Sequence, residues 1–63
     1  MTRKEIYEKA NSVIGIQGMT GNERLWNSRL MEEFDKAKKS DKQKARTILQ
    51  ALQFDEVSIN KII

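Results

Sequence analysis

The sequence predicts an all-α fold: a small bundle of three to four helices forming one domain over residues 1–63. Three observations carry that expectation. Thr2 and Glu5, Thr20 and Glu23, and Ser40 and Gln43 have the spacing of a capping box, in which two side chains satisfy N–H groups that a helix start leaves unpaired. Between these points apolar residues recur every three or four positions and never alternate as in a strand. Proline is absent and the three glycines cluster at 15, 18 and 21, so nothing interrupts the segments in between.

Taken in order, the first helix is predicted over about residues 3–14. Ile6, Tyr7, Ala10, Val13 and Ile14 fall within an arc of roughly 120°, the width of a core-facing stripe. Gly15 stands where a left-handed helix-ending residue belongs, and Ile16 can fold back on the last turn. The second and longest helix is predicted over 21–39, with Trp26, Leu30, Phe34 and Ala37 in one stripe. At 1.5 Å per residue it would run about 28 Å, enough to act as the spine. Lys36, Lys38 and Lys39 suit its negative end. A third helix over about 41–52 turns Ala45, Ile48, Leu49 and Leu52 inward. The last, 56–62, starts at Asp55, with Phe54 and Ile59 at the two positions of a hydrophobic staple.

Composition excludes more than it assigns. A chain of 63 residues buries a small core and needs regular helix packing, a staple or self-association. Neither Cys nor His is present, which removes disulfides, thiolate and imidazole metal sites, the cysteine nucleophile and the commonest general base. No stretch approaches the ~20 apolar residues of a membrane span. The charged start lacks the apolar run of a signal peptide. The expectation is a cytoplasmic protein.

Asn22-Glu23-Arg24-Leu25, followed by Phe34-Asp35-Lys36-Ala37, Asp41, Ala45, Ile48-Leu49 and Ser58-Ile59, resembles the pattern of a group of short uncharacterised bacterial proteins. The likeness covers about residues 22–62 and is built of helix-core and capping positions. Where that group carries Ser-Gly-Leu-Leu, this chain reads Ser28-Arg29-Leu30-Met31, without the glycine. The resemblance implies a bacterial or phage origin and no particular activity.

Four features are candidates for chemistry. Ser12, Ser28, Ser40 and Ser58 lack a histidine and a strand-turn-helix elbow, so Ser40 reads as a cap and Ser28 as polar face. Glu32, Glu33 and Asp35 point in different directions around one helix, which suits a solvated surface with Glu32 paired to Lys36 better than a metal site. The Gly15–Gly21 loop precedes a helix N-terminus but lacks both the Lys-Ser/Thr ending and the preceding strand of a phosphate loop, so its glycines read as turn residues.

The fourth feature is the basic segment. Lys36, Lys38, Lys39, Lys42, Lys44 and Arg46 face only Asp41 within residues 36–46, six cations against one anion. The rest of the chain carries six cations and eight anions. Such a corner is a candidate polyanion contact. No aromatic is interleaved among the lysines for base stacking, however, so a solvated face is preferred. Leu25, off the predicted stripe, either packs on Ile16 and Met19 or is exposed. Ile62 and Ile63 end the chain in apolar side chains that must bury against the bundle or another molecule. All three are candidate partner contacts.

The sequence therefore predicts a non-enzymatic helical module without catalytic residues, metal or cofactor. It would bind a protein or a second copy of itself, in a regulatory, phage- or defence-associated setting. Nucleic-acid binding through the basic segment is the alternative.

Overall fold

The structure is a computed structural model that describes residues 1–63. The chain forms five α-helices and no strand: α1 Arg3–Asn11, α2 Gly21–Asn27, α3 Met31–Ser40, α4 Lys42–Ala51 and α5 Glu56–Ile62, with a 3₁₀ turn at Ile16–Gly18. The all-α expectation holds, but the helices number five, because the segment predicted as one long helix is broken. No helix is long and apolar enough to cross a membrane.

The core centres on α4, which packs against α3, α1 and α5. Its predicted stripe is buried as expected: Ala45, Ile48, Leu49 and Leu52 are 0% exposed. Ile6 and Ala10 from α1, Phe34 and Ala37 from α3, and Ile59 from α5 complete the layer around it. Ile62 and Ile63 fold back half-buried onto this core.

The predicted helix over 21–39 ends at Asn27 and restarts at Met31. Between them Arg29 takes the left-handed conformation, at φ 62°. Its N–H donates to the Trp26 carbonyl at 3.1 Å, and the Leu30 N–H donates to the Leu25 carbonyl at 3.1 Å. These two bonds make a Schellman ending, closed by contact between residues flanking the turn, here the buried Leu25 and Leu30. Helix α4 ends in the same way: Gln53 has φ 67°, its N–H reaches Gln50, and the Phe54 N–H reaches Leu49. A residue with a Cβ costs roughly 1–2 kcal/mol in this region.

The bend reverses one expectation about α2, the burial of Trp26, and settles Leu25 in the first of its two alternatives, packed in the cluster that holds Ile16. Leu25 is 6% exposed and belongs to the core, whereas Trp26 is 74% exposed. On a straight helix Trp26 would share the stripe of Leu30 and Phe34; the bend rotates α2 and brings Leu25 inward instead. As a buried core residue Leu25 is not free to contact a partner. Ser28, read as polar face, is 3% exposed, and its hydroxyl donates to the Leu25 carbonyl at 3.2 Å.

Arg24 holds the bent arrangement from the other side. Its Nε donates to the carbonyls of Ile16 at 3.0 Å and Met19 at 3.2 Å, and its Nη1 to those of Leu52 and Gln53, each at 3.2 Å. The guanidinium also lies 5.6 Å from the centre of the Phe54 ring. One side chain thus ties α2, the 3₁₀ turn and the end of α4 together, giving partners to carbonyls that a helix end leaves unpaired. Gly21 sits under the same ring, where a Cβ would lie 3.0 Å from Phe54.

Helix α1 is shorter than predicted and stops at Asn11. Gly15 is left-handed as expected, at φ 76°, but it opens the 3₁₀ turn rather than closing α1. Val13 is half-buried against the core, and Ile14, predicted to face inward, is 91% exposed.

Capping boxes form at Thr2/Glu5 and Thr20/Glu23, each with both reciprocal bonds. The third is replaced. Asp41 caps α4, its Oδ1 accepting from the Lys44 N–H at 3.2 Å, while Ser40 ends α3 and its hydroxyl donates to the Lys36 carbonyl at 2.9 Å. The Glu5 and Glu23 carboxyls titrate below their ordinary value because the N–H groups of Thr2 and Thr20 donate to them. Glu33 does so because Lys44 donates to it. A carboxyl with a depressed folded pKa stabilises fully above its unfolded pKa and loses that contribution as pH falls through the folded one. With no histidine, no side chain changes charge between these carboxyls and the lysines. The melting temperature should therefore be flat from about pH 5.5 to 8 and fall below about pH 4. A midpoint that drifts through the neutral range, or rises on acidification, would contradict these assignments.

Candidate functional site

The predicted basic segment folds into the α3–α4 corner, with Asp41 ending one helix and capping the next. The structure divides its cations into two sets. Lys44 donates to Glu33 Oε2 at 3.1 Å and pins α4 to α3, while the Glu32–Lys36 pair predicted within α3 does not form. Arg46 donates to Glu56 Oε2 at 2.9 Å and to Asn60 Oδ1 at 2.9 Å, tying α4 to α5. Both of these cations are partly buried structural contacts. Lys36, Lys38, Lys39 and Lys42 remain fully exposed, without carboxylate partners. The candidate polyanion contact therefore shrinks from six residues to four, and its density of free charge falls accordingly.

The serines and the glycine loop are absorbed into the backbone. The hydroxyls of Ser12, Ser28 and Ser40 each donate to a carbonyl three or four residues earlier. The N-terminus of α2 after the loop is occupied by its own residues: Thr20 Oγ1 takes the Glu23 N–H, and the Glu23 carboxylate takes the Thr20 N–H. An incoming phosphate would have to displace that carboxylate.

A second surface was not anticipated as a site. Trp26 and Met31, on either side of the bend, and Arg29 and Glu32 line an open cleft of about 370 Å³. Trp26 presents most of its ring to solvent, Arg29 is exposed at the tip of the turn, and Met31 is half-buried against the core. The surface offers an aromatic face, a flexible thioether, one cation and one anion. It has no nucleophile paired with a base. No protein-family model, curated protein or solved structure matches the chain. Helical periodicity concealed this surface, because it put Trp26 in phase with Leu30 and Phe34.

Exposed apolar side chains elsewhere are isolated by sequence. Ile14 projects from the link after α1, and Val57 is 63% exposed on α5. Neither is joined to an Arg or aromatic neighbour in a common cleft.

Proposed function

We propose that the chain is a non-enzymatic helical module that binds another protein, with Trp26 as the anchor and Arg29, Met31 and Glu32 around it. The observation that carries this reading is a tryptophan 74% exposed beside a cleft on a domain whose core is otherwise closed. Tryptophan, arginine and methionine are enriched in the centres of protein interfaces, where a few large side chains supply most of the affinity. Leaving such a ring in water forgoes burial of a side chain worth several kcal/mol. Its exposure follows from the bend that places Leu25 inside.

A second reading, nucleic-acid binding, is favoured by Lys36, Lys38, Lys39 and Lys42, four unpaired cations gathered at one corner. The two differ in residues and in salt. Affinity purification from the native host should use three baits: wild type, Trp26→Ala, and a triple Lys36, Lys39 and Lys42→Gln variant. The protein partner should be lost with Trp26→Ala, with binding weakened about thirtyfold or more, and be kept by the lysine variant. The melting temperature of Trp26→Ala should stay near wild type, since the ring contributes little to the core. A partner held equally by Trp26→Ala would refute the assignment. Recovery of DNA or RNA through the lysines, with log affinity falling against log salt by about 0.9 per duplex phosphate, would install the second reading instead.

A further inference from the structure

The α2–α3 corner has the marks of one helix that has been bent. Helices α1, α2 and α4 each open on a side chain that accepts an N–H from their own first turn. Helix α3 opens on Leu30 and α5 on Asp55 without such a bond, and of the two only leucine, among the poorest residues at that position, has no group to make one. Residues 28–30 contain neither glycine nor proline, and Arg29, a good helix former, is held left-handed at φ 62°. The stripe Trp26, Leu30, Phe34 and Ala37 keeps one helical phase across the bend, although Trp26 is the member left in solvent.

Returning Arg29 to the right-handed region would join residues 21–40 into one helix. The two hydrogen bonds of the turn would re-pair one residue along, Arg29 N–H to Leu25 and Leu30 N–H to Trp26. The uncapped N–H groups of Met31, Glu32 and Glu33 would gain the carbonyls of Asn27, Ser28 and Arg29. Locally, the straight form loses no backbone hydrogen bond and relieves the backbone of Arg29. What it loses is tertiary: α1 and α2 leave the surface of α3–α5, baring Ile6, Ala10, Ile16 and Leu25, and the two Arg24 bonds to Leu52 and Gln53 open. A second copy of the same chain, opened in the same way, presents the complementary surface in full.

We propose that the chain dimerises by exchanging residues 1–28 about the Ser28–Leu30 hinge, so that α1 and α2 of each copy pack on α3–α5 of the other. The core contacts of α1 and α2 with α3–α5, and the Arg24 bonds to Leu52 and Gln53, are remade between copies, which makes exchange a low-cost route to a dimer. The gain is the relief of two left-handed arginines and the capping of two α3 helices; the balance is set by chain concentration. In the dimer Trp26 comes into line with Leu30 and Phe34. The exchange therefore also alters the surface assigned above to a protein partner, but it stands whether or not that partner exists.

The test is sedimentation of the full chain, refolded at about 1 µM and about 1 mM, for wild type, Arg29→Gly and Arg29→Val. Glycine favours the turn and opposes the straight helix, so Arg29→Gly should lower the association constant about a hundredfold. Valine is strongly disfavoured at positive φ and tolerated in a helix, so Arg29→Val should raise it about tenfold. In a dimer assembled from mixed isotope-labelled and unlabelled wild-type chains, filtered NMR contacts between Ile6 or Ala10 and α4 should run between chains. Should wild type stay monomeric after refolding at the higher concentration, or those contacts all fall within one chain, the exchange is overturned. Association indifferent to both substitutions overturns it as well. Loss of the lysate partner with Trp26→Ala is read independently, so failure of one proposal does not hide in the other.

Discussion

Replacing Leu30 by alanine should destabilise the domain by about 2–5 kcal/mol. Leu30 is 0% exposed at the junction of α2 and α3, and it is half of the pair with Leu25 that closes the turn. Its loss leaves a cavity and loosens the Schellman ending together, since both depend on the same side chain. A domain of this length has a total stability of roughly 3–9 kcal/mol. The variant should therefore be substantially unfolded at 37 °C, and urea titration followed by circular dichroism should show an early or absent transition. A midpoint equal to wild type would place Leu30 outside the core and contradict the helix phase of α3.

The second large effect is expected at Arg24. Its guanidinium donates to four carbonyls from two separate parts of the chain, each at 3.0–3.2 Å. Hydrogen bonds from a charged donor are worth about 1.5–3 kcal/mol, and removing the donor leaves partly buried acceptors unpaired. Arg24→Met retains the apolar stem and should cost about 2–3 kcal/mol. Arg24→Lys should recover little of it. An ammonium is a point donor at the end of its stem and cannot reach Ile16 and Leu52 from opposite edges as a planar fork does. Urea melts of the two variants, side by side, check this. Wild-type stability in the lysine variant would reduce the clasp to a simple charge effect.

Legibility in the sequence tracked how local the determining interaction is. The boxes at Thr2/Glu5 and Thr20/Glu23 were readable because cap and acceptor lie three residues apart. The α4 stripe was readable because every one of its apolar residues faces the same core. Asp41 displaced Ser40 as a cap by one position, which pattern alone does not resolve. The Arg24 clasp left no trace, because its partners at Leu52 and Gln53 are 28 and 29 residues away. By sequence Arg24 is simply a polar residue on a helix. The basic corner was legible as a cluster of charge, but its division into paired and free cations was not. Glu33 and Glu56 reach Lys44 and Arg46 only after the helices pack.

The Trp26 surface illustrates the limit most sharply. Local preference writes residues 21–39 as one helix, with Trp26, Leu30 and Phe34 along one side and no residue that demands a turn. Tertiary structure overrules it. Burial of Leu25 and of the Leu30 contact, together with the bonds of Arg24 to α4, outweighs the cost of a left-handed arginine. The sequence by itself determined the class, the caps at Thr2 and Thr20, the inward face of α4 and the absence of histidine and cysteine chemistry. These follow from propensity, spacing and composition. The tertiary structure alone decided where the long helix bends, which of Leu25 and Trp26 is inside, and which lysines are free. Those outcomes turn on energies of contact between segments far apart in the chain, which no local pattern contains.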